Sequence, residues 1–208
     1  MIVFVARHGK TDSNKNGVLF NGTIDDDINE EGILQAKKLG SFLSNEKIDI
    51  IYSSPMKRTK HTAKIVKSFL KNNSKIVYDT RLRECNFGIF EGKTKEYIMK
   101  HYLDMYNEKL ENKFQFILPS GESYKMVYNR IYEFINEIYN SNKNILIVTH
   151  ATTLKLVLLL LTDYKLEYIE KQHYLNTALF KFEVSKLNDS IISKTLIFNQ
   201  DDHLLLNN

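Results

Sequence analysis

Four short runs of mainly apolar, β-prone residues recur along the chain, at 1–6, 48–52, 75–78 and 144–149. Stretches with apolar residues at helical spacing lie between and after them: Ile33, Leu34, Leu39, Phe42 and Leu43; Ala63, Ile65, Val66, Phe69 and Leu70; Val127, Ile131, Phe134, Ile135 and Ile138; then 154–161. A strand that reads as a near-continuous apolar run is covered on both faces, which is the habit of parallel sheets. Helices between such strands supply the covering layers. The pattern therefore predicts an α/β, three-layer sandwich with a mainly parallel central sheet covered by helices. Ser54 and Pro55 precede the second helical stretch as a candidate N-cap and first-turn proline. Runs at 177–184 and 191–198 predict a closing strand pair joined by a turn at 188–190.

At 208 residues the chain suits one domain, 1–208. Hydrophobic residues make up 43% and charged ones 26%, ordinary values for a soluble globular protein. The lone Cys85 has no internal disulfide partner, which predicts a reducing, cytoplasmic home. The most apolar run, 154–161, is broken by Lys155 and falls far short of the ~20 residues of a membrane span. Nothing at the N-terminus reads as a signal peptide. Neither a membrane nor a nucleic acid is expected as a partner. The net charge of +4 is mild, and the stripe Lys57, Lys60, Lys64, Lys67 and Lys71 has no interleaved aromatics to stack bases, so it reads as a solvated helix face.

The first apolar run ends abruptly at Arg7-His8-Gly9, and the run at 144–149 ends at His150. In open α/β sheets, ligands bind beyond the carboxyl ends of parallel strands. Both histidines therefore face a crevice. Alone, RHG is a weak signal; its company is not. RHGKTDSN at 7–14, FNGTIDDDINEEGILQA at 20–36, YSSPMKRTKHTA at 52–63, LRECNFGIFEG at 82–92, PSGES at 119–123 and VTHATTLK at 148–155 occur in order. These six blocks resemble the histidine phosphatase superfamily, also called the phosphoglycerate mutase-like family.

The resemblance implies a chemistry that these residue types suit. A phosphomonoester is anionic, so a nucleophile is repelled until that charge is offset. Arg7 and Arg58 are expected to hold phosphoryl oxygens through charge-assisted hydrogen bonds. His8 is the expected nucleophile, and a phospho-histidine divides one hard step into two. A protonated His150 would stabilise charge built up in the transition state. Asn14, Gly22, Thr23 and the Ala151 N–H would complete the cradle. Glu84 is the expected general acid and then base. His61, His101, His173 and His203 fall outside these positions. Neither a metal nor a cofactor is required, and the expected partner is a small-molecule phosphomonoester.

Three positions depart from the family pattern. Lys10 stands where an acid or amide is usual, Asn29 where threonine is common, and Ala151 where glycine is usual. Alanine there would be strained if the backbone needed positive φ. The segment 93–118 is expected to form a small inserted lid, and Tyr97, Tyr102, Tyr106, Phe114 and Phe116 suggest a substrate with an apolar or ring-bearing leaving group. Its shortness favours a phosphatase over a bisphosphoglycerate-dependent phosphoglycerate mutase. A non-catalytic phospho-ligand module is the alternative from another class.

Overall fold

The structure is a computed structural model and describes residues 1–18, 20–139, 141–187 and 190–204, without the side chains of 186, 187 and 190. In chain order the elements are β1 (Ile2–Arg7), α1 (Asp12–Lys15), α2 (Glu30–Leu43), β2 (Ile50–Ser53), α3 (Lys57–Phe69) and β3 (Lys75–Tyr78). Then come α4 (Lys95–His101), α5 (Leu103–Glu111), α6 (Tyr124–Tyr139) and β4 (Ile145–Thr149). The chain closes with α7 (Ala151–Leu161), α8 (Leu166–Lys171), β5 (Leu179–Leu187) and β6 (Ser190–Gln200).

The six strands form one sheet in the order β3-β2-β4-β1-β5-β6. β1, β2, β3 and β4 are mutually parallel, β5 runs antiparallel to β1, and β6 antiparallel to β5. Side chains alternate between the two faces of a strand. Val3 and Val5 of β1 join the core beneath α6 and α7, while Phe4 and Ala6 join the core beneath α2 and α3. The three layers expected from the apolar runs are thus present, with a sheet parallel in four of its six strands. Among the described residues no helix is long and apolar enough to cross a membrane.

Register decides where the site falls. Ala6 pairs with Val148 and Val148 with Ser53, so three neighbouring parallel strands end level. The residues that leave them are Arg7-His8, Thr149-His150 and Ser54. Each strand's last turn of chain is thereby delivered to the same edge of the sheet.

Two local expectations change. α3 begins at Lys57 with Met56 at its N-cap and no side-chain cap bond, so Pro55 precedes the first turn and Ser54, whose Oγ accepts from the Met56 N–H at 3.4 Å, is not the cap residue. Asn29 does cap α2, accepting from the Gly32 N–H at 3.0 Å. The turn expected at 188–190 falls on 188 and 189, outside the described residues. In segment 93–118, Tyr102, Met105, Tyr106, Phe114 and Phe116 pack onto the larger core. Tyr97 stands exposed against His101, ring centroids 4.4 Å apart.

Candidate active site

Gly9 is dictated by contact. A Cβ there would lie 2.5 Å from the Gly32 carbonyl oxygen, at the first turn of α2. This lets the loop after β1 lie against α2. The Gly9 N–H donates to Thr62 Oγ1 of α3 at 3.0 Å. The Gly9 carbonyl turns back to His8 Nδ1 at 2.7 Å. A carbonyl only accepts, so Nδ1 carries the proton and Nε2 keeps its lone pair. His8 is buried. Burial first, then the charges of Arg58 and Arg7, push its pKa well below the histidine range, against the opposing Gly9 bond. The ring is a neutral imidazole.

His150 lies beside it, ring centroids 5.3 Å apart. Arg58 Nε donates to His150 Nδ1 at 3.1 Å, which puts the His150 proton on Nε2, 2.9 Å from Ser54 Oγ. Burial, then Arg58 and His8, push the His150 pKa well down too. The structure thus differs from the expected imidazolium: His150 is neutral with both nitrogens engaged. The serine read as a helix cap is its partner.

The two arginines are not equivalent. Arg58 is buried and all its nitrogens meet protein acceptors. Nη1 donates to Ile24 O at 2.6 Å and Asp26 Oδ1 at 3.1 Å, and Nη2 to Asn21 O at 2.9 Å and Gly22 O at 3.2 Å. Rather than offering a free fork, it braces the loop at 21–26 and aligns His150. Arg7 donates through Nη1 to Tyr174 O at 2.8 Å, while its buried Nε has no partner among the described residues. Burial lowers its pKa to about 10, with Glu84 opposing and Arg58 adding. It remains a cation at neutral pH with hydrogen-bonding capacity to offer.

Glu84 sits at the start of α7. Oε1 accepts from Thr153 N at 3.1 Å, Thr153 Oγ1 at 3.2 Å and Cys85 N at 2.9 Å, and Oε2 from Thr152 N at 3.0 Å. A helix N-terminus with open N–H groups favours a carboxylate there. Ala151 is the first residue of α7 and is not among the positive-φ residues, so alanine carries no strain. Its N–H has no intrahelical acceptor.

The cradle expected at Gly22 and Thr23 differs. Both N–H groups donate to Glu91 Oε2, at 2.9 and 3.0 Å, and Glu91 Oε1 accepts from Phe87 N at 2.8 Å. Asn14 is better placed. Its Oδ1 accepts from Thr11 N at 3.3 Å and Asn176 Nδ2 at 3.2 Å, which leaves its own amide to donate. Lys10 is drawn away to Glu31 at 2.8 Å.

Several supports lie outside the residues expected at the site. Glu91 holds the loop beneath Arg58. Asn176 Nδ2 donates to the His8 carbonyl at 3.0 Å. Arg130 donates to the Arg81 and Glu84 carbonyls and pairs with Glu122. The PSGES block carried Glu122, but nothing in the spacing marked Arg130.

A cleft of about 390 Å³ opens above Arg7, lined by residues including Phe20, Tyr106, Lys109, Ala151 and Tyr174. Of the five lid aromatics expected to shape it, only Tyr106 does so. Tyr102 lies against Phe90 and Phe114 against Tyr128.

Residues 3–192 match the family model of the Histidine phosphatase superfamily (branch 1). Phosphoserine phosphatase 1 of Hydrogenobacter thermophilus is 31% identical over 155 residues, 74% of this chain and 72% of that protein. Adenosylcobalamin/alpha-ribazole phosphatase of Escherichia coli is 29% identical over 167 residues, 76% of this chain and 77% of that protein. The solved structure of Bacillus stearothermophilus YhfR superposes with a TM-score of 0.86 at 25% identity, covering 98% of each chain. The chain belongs to the histidine phosphatase superfamily, and it is a phosphatase of that superfamily.

Proposed function

We propose that the chain hydrolyses small-molecule phosphomonoesters through a phospho-histidine on His8, with Glu84 as general acid and base and without a metal ion. The observation that carries this reading is the 2.7 Å contact from His8 Nδ1 to Gly9 O, which leaves Nε2 as the lone pair of a neutral, oriented imidazole. His8 Nε2 attacks phosphorus, the ester P–O bond breaks, and the leaving oxygen takes a proton from Glu84. Water then attacks phosphorus, the P–N bond breaks with its electrons returning to Nε2, and Glu84 takes the water's proton.

Glu84 needs a proton at the start, and the Cys85, Thr152 and Thr153 N–H groups all donate to it. A monoanionic phosphate ester brings that proton with it. Arg7 Nε, the Asn14 amide and the Ala151 N–H are the groups available to phosphoryl oxygens. Arg58 acts from behind, through its charge and by fixing His150 and the loop at 21–26. The chain works as one unit over 1–208, with 93–118 as the lid over the cleft. A single, free and buried Cys85 supports a reducing, cytoplasmic setting.

The test is phosphate release in EDTA from a panel of esters. The panel holds phosphoserine, α-ribazole phosphate, both phosphoglycerates and simple aryl and sugar phosphates. Release that disappears in His8→Ala supports the reading. Release that requires an added metal, or that survives in His8→Ala, overturns it. Conversion of 3- to 2-phosphoglycerate with a bisphosphate primer would replace it with the mutase.

A further inference from the structure

The cleft holds more positive charge than one phosphoryl group uses. Arg7, Lys109, Lys113 and Lys155 line it against one carboxylate, Glu170. Glu170 is already shared, with Oε2 2.9 Å from Lys113 Nζ and Oε1 3.0 Å from Lys155 Nζ. Glu170 is thus held between two of the three lysines and makes no ion pair with Lys109.

Lys109 is the unusual member. It belongs to α5, near the surface, where a lysine ordinarily turns its ammonium to water. Instead it is 7% exposed. Its Nζ makes no hydrogen bond or ion pair among the described residues. Its neighbours are three ring faces, Tyr124 at 4.7 Å, Phe20 at 5.7 Å and Phe87 at 5.8 Å to the centroids. Ring faces stabilise a cation but do not fill its three donor positions. Burial lowers its pKa, opposed by Cys85 and Glu170 and helped by Lys113 and Lys155. An arriving anion would reverse that shift. The rings hold the ammonium at the cleft wall, so they are not free to stack on a substrate ring.

We propose that Lys109, with Lys113 and Lys155, binds a second anionic group on the substrate's leaving alcohol, a carboxylate or a second phosphate. This rests on the hydrolytic reading of the His8 site, since it places the transferred phosphoryl group at Arg7. The substrate class becomes phosphomonoesters with an anionic tail, and neutral-tailed esters become poor substrates.

The experiment compares kcat/KM for phosphoserine and 3-phosphoglycerate, for a hexose bisphosphate, and for neutral-tailed glycerol 3-phosphate. It uses the wild type, Lys109→Met and Lys109→Arg. In the wild type at least one anionic-tailed class exceeds glycerol 3-phosphate by about tenfold or more, the range of one charge-assisted contact. Lys109→Met lowers that ratio about tenfold, and Lys109→Arg retains most of it. The favoured arm separates carboxylate from phosphate. Equal losses for anionic and neutral tails, or no preference in the wild type, overturn the proposal. Calorimetric binding of 3-phosphoglycerate, a hexose bisphosphate and glycerol 3-phosphate to His8→Ala, with and without Lys109→Met, needs no turnover. If the wild type hydrolyses nothing, the hydrolytic reading fails, while a preference for 3-phosphoglycerate or the bisphosphate over glycerol 3-phosphate that Lys109→Met removes upholds the second-anion site. Absence of both preferences overturns it.

Discussion

Replacing Gly9 by alanine tests how tightly the loop that carries His8 is held. The added Cβ would sit 2.5 Å from Gly32 O, 3.0 Å from Gly32 C and 3.1 Å from Gly32 Cα. All three are backbone atoms in the first turn of α2, which Asn29 caps, so no side chain can swing aside. Forced overpacking of this kind costs about 1–3 kcal/mol. For a chain of this length, that lowers Tm by about 2–12 °C. The loop must move, and the carbonyl that orients His8 is on the substituted residue itself. A displacement of about 1 Å at a reacting group is worth about 10²-fold in rate. Thermal unfolding followed by circular dichroism, and kcat on the best ester of the panel, read the two effects. Lys10→Ala, one residue on, removes only a partly exposed ion pair with Glu31 and is expected to change stability by less than about 1 kcal/mol. A Gly9→Ala enzyme with unchanged Tm and kcat would refute the reasoning.

Three further outcomes are expected. Glu91→Gln leaves at least one of the Gly22, Thr23 and Phe87 N–H groups facing an amide NH2, costing about 1–3 kcal/mol and exposing the loop at 21–26 to limited proteolysis; equal protease resistance would contradict this. His203 is buried on Thr177, and burial lowers its pKa from 6.5 to about 4. As pH falls below 6.5 the unfolded chain takes this proton first, so stability is full above pH 6.5 and declines toward pH 4. The loss is at most about 3 kcal/mol before solvent screening, and denaturant melts of His203→Gln should show a flatter profile. If the reacting ester is the monoanion, kcat/KM falls on the alkaline side with a pKa near 6, that of the substrate phosphate. A profile flat from pH 5 to 8 would contradict the proposed route of the proton.

Much of the candidate site was legible because strand ends and strongly typed residues carry it. Arg7, His8 and His150 follow apolar runs, and parallel register brings such ends together. What spacing could not say is which way a side chain turns. Ser54 reads as a helix cap, and only the folded chain shows its Oγ 2.9 Å from His150 Nε2. Arg58 looks like a phosphate fork until the carbonyls at 21, 22 and 24 are seen to converge on it. The Gly22 and Thr23 N–H groups look open until Glu91, almost seventy residues away in sequence, meets them. The aromatics of 93–118 misled for the same reason: most of those rings pack downward, and the cleft takes its other rings from Phe20, Phe87, Tyr124 and Tyr174, beside three lysines. Lys109 carried no signal, because a lysine on a polar helix reads as solvated until the rings around it are placed.

The central claim is that His8 becomes phosphorylated during turnover. Wild-type enzyme is mixed with a labelled ester in EDTA, quenched within the first turnovers and mapped by mass spectrometry. One phosphoryl group, acid-labile and carried on His8, is the expected result, with none in His8→Ala. Steady hydrolysis in EDTA with no label on His8 at any quench time, or a label on another residue, would contradict the account.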